Sequence, residues 1–343
     1  MAVLLLAALQ IDGHRMAADV QKLASFRTRY VGSSRESEEG VGAAARWIMG
    51  ELDRVAKSTR AELGVHEFQI GKIPARNVFL RIPGRNPGRV VVFGAHYDSI
   101  NTAERRADPD APAPGANDNA SGASAVLELA RALGARTFES TVILVAFSGE
   151  ELGLLGARAF VQFLREQNLE VAAMINNDII GSSRASDGSR RPSEIRCFSA
   201  GPESSPSRWM ARWAKAVVEE KIPGTTILVQ DRIDRPGRGG DHQPFSDAGI
   251  RAIRLMEAVE DLDRQHNRRD LPDLIDPAYL ARVASADAML IEAAANTVEG
   301  EAPLWILTRE GRVVEAGPGD RHVVCARGAT GLPGLPSAEV ERR

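Results

Sequence analysis

Three uninterrupted apolar runs limit what this chain can fold into. RVVVFGAH (89–96), STVILVAFSG (140–149) and VAAMINNDII (171–180) show no alternation of polar and apolar residues. A strand with one face in water alternates with period two, so runs of this kind read as strands buried on both faces. Between them stand ASAVLELARAL (123–133) and GARAFVQFLRE (156–166), whose apolar positions recur at helical spacing. WMARWAKAVVEE, TTILVQ, IRAIRLME and PAYLARVASADAMLIEAAA continue the alternation. Such a pattern predicts an α/β fold: a mostly parallel central sheet with helices on both faces, a three-layer sandwich.

Ahead of this block, residues 15–32 and 37–58 read as helices, and VHEFQI and RNVFLRI as strands. No internal repeat is visible. Residues 101–117, rich in Pro, Ala and charge, read as a surface excursion, and 181–194 and 230–242 as long loops. After about residue 300 the pattern shifts to short strands and a Gly/Pro-rich end. The division predicted is an N-terminal segment (1–14), one catalytic domain (15–299), and a hairpin-like extension with a flexible tail (300–343).

The 343 residues suffice for a full-sized core. A net charge of -3 without a long basic run argues against nucleic acid as a partner. No apolar run approaches the length of a membrane span, so stable membrane insertion is not expected. The opening MAVLLLAALQ is apolar but short, with no basic leader and no A-x-A site. It reads either as a signal-peptide remnant, which places the protein in a secreted or periplasmic setting, or as a segment packed on the core of a cytoplasmic one. The two cysteines, Cys197 and Cys325, exclude a cysteine-rich metal motif, and no spacing argues that they pair. A bound metal must therefore use His and carboxylates.

Open α/β sheets bind ligands beyond the carboxyl ends of their strands. There this sequence gathers acid and imidazole. The first buried run ends in His96 and Asp98, the second in Glu150 and Glu151, the third in Asp178. Asp118 stands before the first crossover helix, and Asp241, His242 and His266 follow later. Each alone is an ordinary N-cap, helix-dipole partner or solvated side chain. Together they pose a charge problem, because several carboxylates cannot stay ionised side by side without a cation. Bound divalent metal is the simplest answer, and imidazole plus carboxylate without thiolate suits a catalytic zinc pair. On a strand, residues two apart share a side, so Asp98 is expected to brace His96. Adjacent side chains on an extended strand point oppositely. One glutamate can then enter the metal shell as a ligand, Glu151, while Glu150 acts as general base on metal-bound water.

GAHYDS, GANDNASGASAVLELARAL, FSGEELGLLGARAF, NNDIIG, GGDHQPFSDAGI and QHNRRDLPDLID occur in this order across residues 94–276. With these motifs the chain resembles the zinc-dependent aminopeptidases with co-catalytic metals, a family that includes glutaminyl cyclases and glutamate carboxypeptidases. The likeness covers about residues 15–298. It implies two zinc ions per chain: His96 and Asp178 on one, Glu151 and His266 on the other, and Asp118 bridging. It further implies Glu150 as general base, Asp98 as the brace on His96, a non-ligating role for Asp241 and His242, and a cis Asp118–Asn119 peptide. The implied reaction is hydrolysis of the N-terminal bond of peptides or small proteins. Two positions depart from the pattern: Gln265 stands where the family commonly has Tyr, and Asn267 where Thr is usual. The oxyanion stabiliser is thereby left open. Glutaminyl-peptide cyclotransfer with one zinc, and a non-catalytic binding domain of peptidase fold, stand as alternatives.

Overall fold

The computed structural model describes residues 10–33, 38–230, 232–233 and 237–297, and beyond these four short strands between 305 and 336. The strands of the main sheet are β1 (Glu62–Ile70), β2 (Ile73–Ile82), β3 (Asn86–His96), β4 (Ser140–Phe147), β5 (Glu170–Asn177), β6 (Glu194–Ser199), β7 (Thr226–Gln230) and β8 (Ala252–Glu257). The helices are α1 (Gly13–Ala24), α2 (Gly40–Ser58), α3 (Ser121–Leu133), α4 (Leu155–Glu166), α5 (Pro206–Lys221), α6 (His242–Asp247) and α7 (Pro277–Ala295). The eight strands lie in the order β1-β2-β4-β3-β5-β8-β6-β7. The middle four, β4-β3-β5-β8, run parallel. The joins to β2 and β6 are antiparallel, so the sheet is mixed around a parallel heart.

Burial follows the alternation of each strand. In β4 all eight residues are buried. Val142, Leu144 and Ala146 face one core, and Ile143, Val145 and Phe147 the other. The first core is closed by α1, α2, α3, α5 and α7. The second is closed by α4 and α6. Covering both faces with helices is what lets four central strands dispense with polar alternation.

Connectivity places the site. β3 leads through α3 to β4 on one side, and β4 leads through α4 to β5 on the other side of β3. The winding direction therefore reverses at β3, which opens a crevice at the carboxyl ends of the central strands. Register keeps those ends level: His96 pairs with Phe147, Gly94 with Asn176, and Asn177 with Leu255.

Several local expectations change. The first helix does not reach residue 32; it ends at Ala24, Arg27 turns the chain at φ 66°, and Thr28 bridges to Ala113. The turn buries Arg29, whose guanidinium donates to the carbonyls of Leu23, Tyr97, Pro114 and Gly115. Strand β6 was not legible as one and sits between β8 and β7. In place of a hairpin, β9 (Trp305–Leu307), β10 (Val313–Glu315), β11 (Val323–Arg327) and β12 (Pro333–Pro336) form a four-stranded sheet. β12 falls where the sequence reads as flexible tail. There Leu335 is buried in the first core, and its N–H donates to Thr297 Oγ1 at 2.9 Å. The apolar opening, residues 1–9, lies outside the described residues. No helix among the described residues is long and apolar enough to cross a membrane. Cys197 is a buried free thiol, pushed up to about 12 by burial.

The second core rests on a cluster of aromatic rings. Phe160 of α4 is fully buried, with ring centroids 5.4–5.7 Å from those of Phe79, Phe147, Phe163 and His66. Phe160→Ala is expected to cost about 3–5 kcal/mol, the range for a fully buried aromatic. Urea unfolding monitored by circular dichroism checks this, and a loss below about 1 kcal/mol would show that the cluster can collapse onto the gap.

Candidate metal centre

The crevice is a cleft of about 320 Å³ lined by Asp118, Glu150, Glu151, Asp178 and His266, with Leu154, Ile179, Arg238, Gln243, Arg254 and glycines completing the wall. A larger cleft of about 800 Å³ lies beside β7, lined among the described residues by Arg208, Arg212, Lys215 and Glu203, and the candidate metal ligands lie outside it.

The candidates arrive from the ends of β3 and β5, the loop after β4, the turn before α3 and the loop after β8. His96 is the last residue of β3 and is 1% exposed. Its Nε2 lies 3.4 Å from Asp118 Oδ1, 3.5 Å from Asp178 Oδ1 and 4.0 Å from Glu150 Oε2. His266 reaches the cluster from the far side, with Nε2 3.0 Å from Asp118 Oδ2 and 3.3 Å from Glu151 Oε2. Two triads result, His96–Asp118–Asp178 and Asp118–Glu151–His266, each with donor atoms within 4.8 Å of one another. Asp118 belongs to both and offers a different oxygen to each imidazole. A third grouping, His96–Glu150–Glu151, meets the same distance limit. His242 belongs to none of these groups, although it is buried.

The glutamate pair reaches the cleft by another route than strand alternation. β4 ends at Phe147, and Gly149 (φ 78°) and Gly153 (φ 106°) bend the following chain into a tight loop. Glu150 and Glu151 sit in that loop and both line the cleft. Asp98 also lies just past its strand. Its backbone carbonyl, 3.2 Å away, is the nearer partner of His96 Nδ1, and its carboxylate stands at 3.6 Å. That carboxylate instead accepts the backbone N–H groups of Glu150 (3.2 Å) and Glu151 (3.3 Å). Asp98 thus ties the end of β3 to the glutamate loop.

A second set of side chains fixes the backbone around Asp118. Asp270 accepts from the N–H groups of Asn117 (2.8 Å) and Asp118 (2.9 Å). Asn119 accepts from Gly122 and Ile179 and donates to the carbonyl of Asn177, lacing the Asp118 turn to the end of β5. The Asp118–Asn119 peptide is cis, as the family likeness implies. The 101–117 excursion holds the last histidine: Thr102 N–H donates to the His266 carbonyl at 3.0 Å, and Glu104 pairs with Arg268 at 2.5 Å. Among the described residues five non-glycine positions have positive φ, and three of them, Leu154, Ile179 and His266, line the cleft. For a β-branched residue such as Ile179 this conformation is costly, and it persists only where surroundings enforce it.

Electrostatics show what the cluster lacks. Burial, together with Asp178, Asp118 and Asp98, pushes Glu150 up to about 7 despite the nearby His96. Burial and the neighbouring Asp118 and Glu150 raise Glu151 well above the usual carboxylate range. Burial alone would raise Asp118, but His266 and His96 hold it below that range. Burial works against protonating His96, yet Glu150, Asp118, Asp178 and Asp98 raise it well above an ordinary imidazole. Glu151 Oε1 is buried without a hydrogen-bond partner. An orphaned carboxylate oxygen, two imidazoles and four acids in one cleft fit a divalent cation pair of the oxygen- and nitrogen-preferring kind.

Comparison with known proteins agrees with this geometry. The model of Peptidase family M28 matches residues 77–291. The chain belongs to peptidase family M28. It is 36% identical over 316 residues to a protein of Leptosphaeria maculans named "Probable zinc metalloprotease", covering 81% of this chain and 73% of that one. A protein of the same name from Pyrenophora tritici-repentis is 32% identical over 327 residues, covering 84% and 75%. Solved structures share the fold of this M28 member at lower identity. They include the LapA aminopeptidase of Legionella pneumophila (TM-score 0.65, 20% identity, 82% of this chain and 71% of that one). The zinc aminopeptidase BSAP of Bacillus subtilis (0.64, 17%, 82% and 94%) and the glutaminyl cyclase of Porphyromonas gingivalis (0.62, 18%, 82% and 98%) share it as well.

Sequence reasoning named the residues that meet in the cleft but not those that hold them. Asp270 lies inside a quoted motif without any role readable from its neighbours, and Arg29 gave no signal at all. Arg254 did leave one, a charge in the middle of the apolar strand IRAIRLME.

A divalent metal needs both imidazoles neutral, and Asp118 also raises His266 against the effect of burial. Loading metal-free protein is therefore expected to release protons, and affinity should strengthen as pH rises through the elevated imidazole values. Titration calorimetry in two buffers of different ionisation heat checks this. In the same assay His266→Ala should lower the metal stoichiometry while His242→Ala leaves it unchanged; the reverse would reassign the closing ligand.

Proposed function

We propose that this M28 peptidase is a zinc-dependent aminopeptidase that hydrolyses the N-terminal bond of peptides or small proteins. The observation that carries the reading is the pair of triads sharing Asp118, with Glu150 beside them and in neither of the two. In this reading His96 and Asp178 hold one zinc ion, Glu151 and His266 the second, and Asp118 bridges them. Bound zinc would supply Lewis-acid polarisation of the scissile carbonyl and a lowered pKa for water. The names of the fungal relatives and of the zinc aminopeptidase sharing the fold support that choice of metal.

Glu150 does the proton work. Its carboxyl lines the cleft beside both triads, where it can accept a proton from water and return it. It takes the proton of the attacking water and returns it to the departing amine. Asp98 keeps Glu150 and Glu151 in place through their backbone N–H groups. Gln265 does not face the reaction: its Nε2 donates to Glu260 at 2.8 Å. Asn267 closes its own turn through the carbonyls of Asp263 and Gln265. Neither lines the cleft, so carbonyl stabilisation in this reading falls to the zinc-binding face. A secreted or periplasmic setting, read from the apolar opening, belongs to the same proposal.

Glu150→Gln tests the base directly. The variant should fold and bind metal as the parent does, while kcat falls on the order of a hundred-fold or more. Release assays on aminoacyl reporters, with an N-terminal glutamine peptide included, give the readout. Near-parental turnover in the variant removes Glu150 from the role, and cyclisation of the glutamine peptide in place of hydrolysis favours the cyclotransferase.

A further inference from the structure

A single polar side chain meets both ends of the loop that carries Glu150 and Glu151. Asn77 lies in β2, is fully buried and does not line the cleft. Its Oδ1 accepts the backbone N–H of Ser148 at 3.0 Å, and its Nδ2 donates to the backbone carbonyl of Gly156 at 2.9 Å. Ser148 is the first residue after β4 and Gly156 the second of α4. One carboxamide thus closes the chain on either side of residues 149–155.

The chemistry of the group suits this task. A carboxamide offers an acceptor oxygen and two N–H donors, and when buried each needs a partner. The second N–H finds His66 Nδ1 at 3.2 Å. That imidazole is stacked on Phe163, with ring centroids 4.7 Å apart, and on Phe68 at 5.7 Å. Burial lowers its basicity against the opposing effect of Glu166, so the ring stays neutral and Nδ1 can accept. A flipped carboxamide would set its oxygen against the Gly156 carbonyl and the ring nitrogen, so only one orientation satisfies all three contacts. The fit is also close. A Cβ on Gly156 would stand 2.6 Å from Asn77 Oδ1 and 2.2 Å from the Ser148 carbonyl oxygen, so α4 begins pressed against the end of β4.

Bonds inside the loop set its shape: the N–H groups of Gly153 and Leu154 both close on the Glu150 carbonyl at 2.8 Å. Contacts with the rest of the fold set where that shape sits. Asp98 supplies one such contact through the N–H groups of Glu150 and Glu151, and Asn77 supplies the other from β2. The neighbouring Arg76 carbonyl accepts the hydroxyl of Tyr97 at 2.9 Å, and Tyr97 adjoins His96. One short stretch of β2 therefore references both the His96 strand end and the glutamate loop.

We propose that Asn77, held in orientation by His66, is a positioning residue for the glutamate pair, setting Glu150 against the reacting water and Glu151 against the second metal ion. The inference rests on the roles that the peptidase reading gives these two glutamates.

The test compares the full zinc-loaded chain with Asn77→Asp, Asn77→Leu and His66→Phe. Leu52→Ala, a cavity in the first core, serves as the control for a general loss of stability. Asn77→Asp keeps the acceptor for Ser148 but turns an oxygen towards the Gly156 carbonyl, and His66→Phe keeps an aromatic ring while removing one acceptor. The readouts are kcat and KM on aminoacyl reporters, the calorimetric affinity of each metal, and hydrogen exchange of the Ser148, Glu150 and Glu151 amides relative to those of β4 in the metal-free chain. In both Asn77 variants kcat should fall at least about tenfold with KM within about threefold of the parent, the pattern of a misplaced base. The second metal should bind about tenfold more weakly and the first as before, and the loop amides should exchange faster. His66→Phe should move the same quantities in the same direction by about threefold, the size of one neutral hydrogen bond. Leu52→Ala, assayed below its unfolding transition, should lower Tm and leave kcat and both metal affinities at the parental values. Parental kcat and metal affinities in a folded Asn77 variant overturn the proposal, and so does an equal loss of kcat in Leu52→Ala. If neither Asn77 variant folds, parental values in His66→Phe overturn it. If the parent turns over no reporter, the peptidase reading falls, and the second-metal affinity and the amide exchange still decide the role of Asn77.

Discussion

The structure turns on four carboxylates that share one buried crevice. Asp118 comes from the turn before α3, Glu150 and Glu151 from the loop after β4, and Asp178 from the end of β5, and a chain with no external cation would have to protonate some of them or let them separate. The two imidazoles flank Asp118, which lies between them and is held down most strongly. Glu150 and Glu151 remain raised by burial and by their neighbours. A cluster in this state holds its geometry because the backbone beneath it is fixed independently of its charges. Asp270 grips two N–H groups before the cis peptide, Asp98 grips two in the glutamate loop, and Asn119 joins the Asp118 turn to β5.

Arg29 extends that scaffold to the far side. It is fully buried, and its guanidinium spends itself on four backbone carbonyls, of which Tyr97 adjoins His96 and Gly115 precedes Asp118 by three residues. Burial lowers it to about 10 while Asp270, Asp98 and Asp118 act to keep it charged, so it carries a positive charge at neutral pH. One cation therefore both staples the Asp118 turn to the end of β3 and offsets part of the field from the acids beyond. Replacing it with an apolar side chain would leave buried carbonyls unpaired, a far greater loss than the packing alone.

Much of this was legible in the sequence, and the limit is physical. Continuous apolar runs announce β3, β4 and β5 because two-faced burial removes alternation, and their polar ends announce the crevice. The failures share a cause: they depend on contacts distant in the chain. EIRCFS of β6 is short and carries two charged residues, and it becomes a strand only because β8 and β7 flank it. The helix expected over 15–32 stops at Ala24 because Thr28 and Arg29 have partners near residues 97 and 113. The glutamate pair was assigned to strand alternation, whereas two glycines at positive φ turn it into the cleft. The residues came out of local pattern; the geometry that gives them separate tasks did not.

The two halves of the cleft are also unequal in access. The His96 triad is closed off, with side chains 1–6% exposed, whereas the His266 side chain is 39% exposed. His266 stands in a loop at φ 54°, and its carbonyl is held by Thr102 of the excursion. The excursion thus becomes part of the site, since shortening it would release the backbone that aims the more open imidazole. On the opposite rim, Gly237, Arg238 and Gly239 pass along the cleft, and the Gly239 carbonyl takes a hydrogen bond from Arg254. A substrate entering between the rims meets His266, whose carbonyl Thr102 holds, and Arg254, which the Gly239 carbonyl holds. The acid cluster rests on the parallel strands and the turns that follow them, and the two loops form the rims above it.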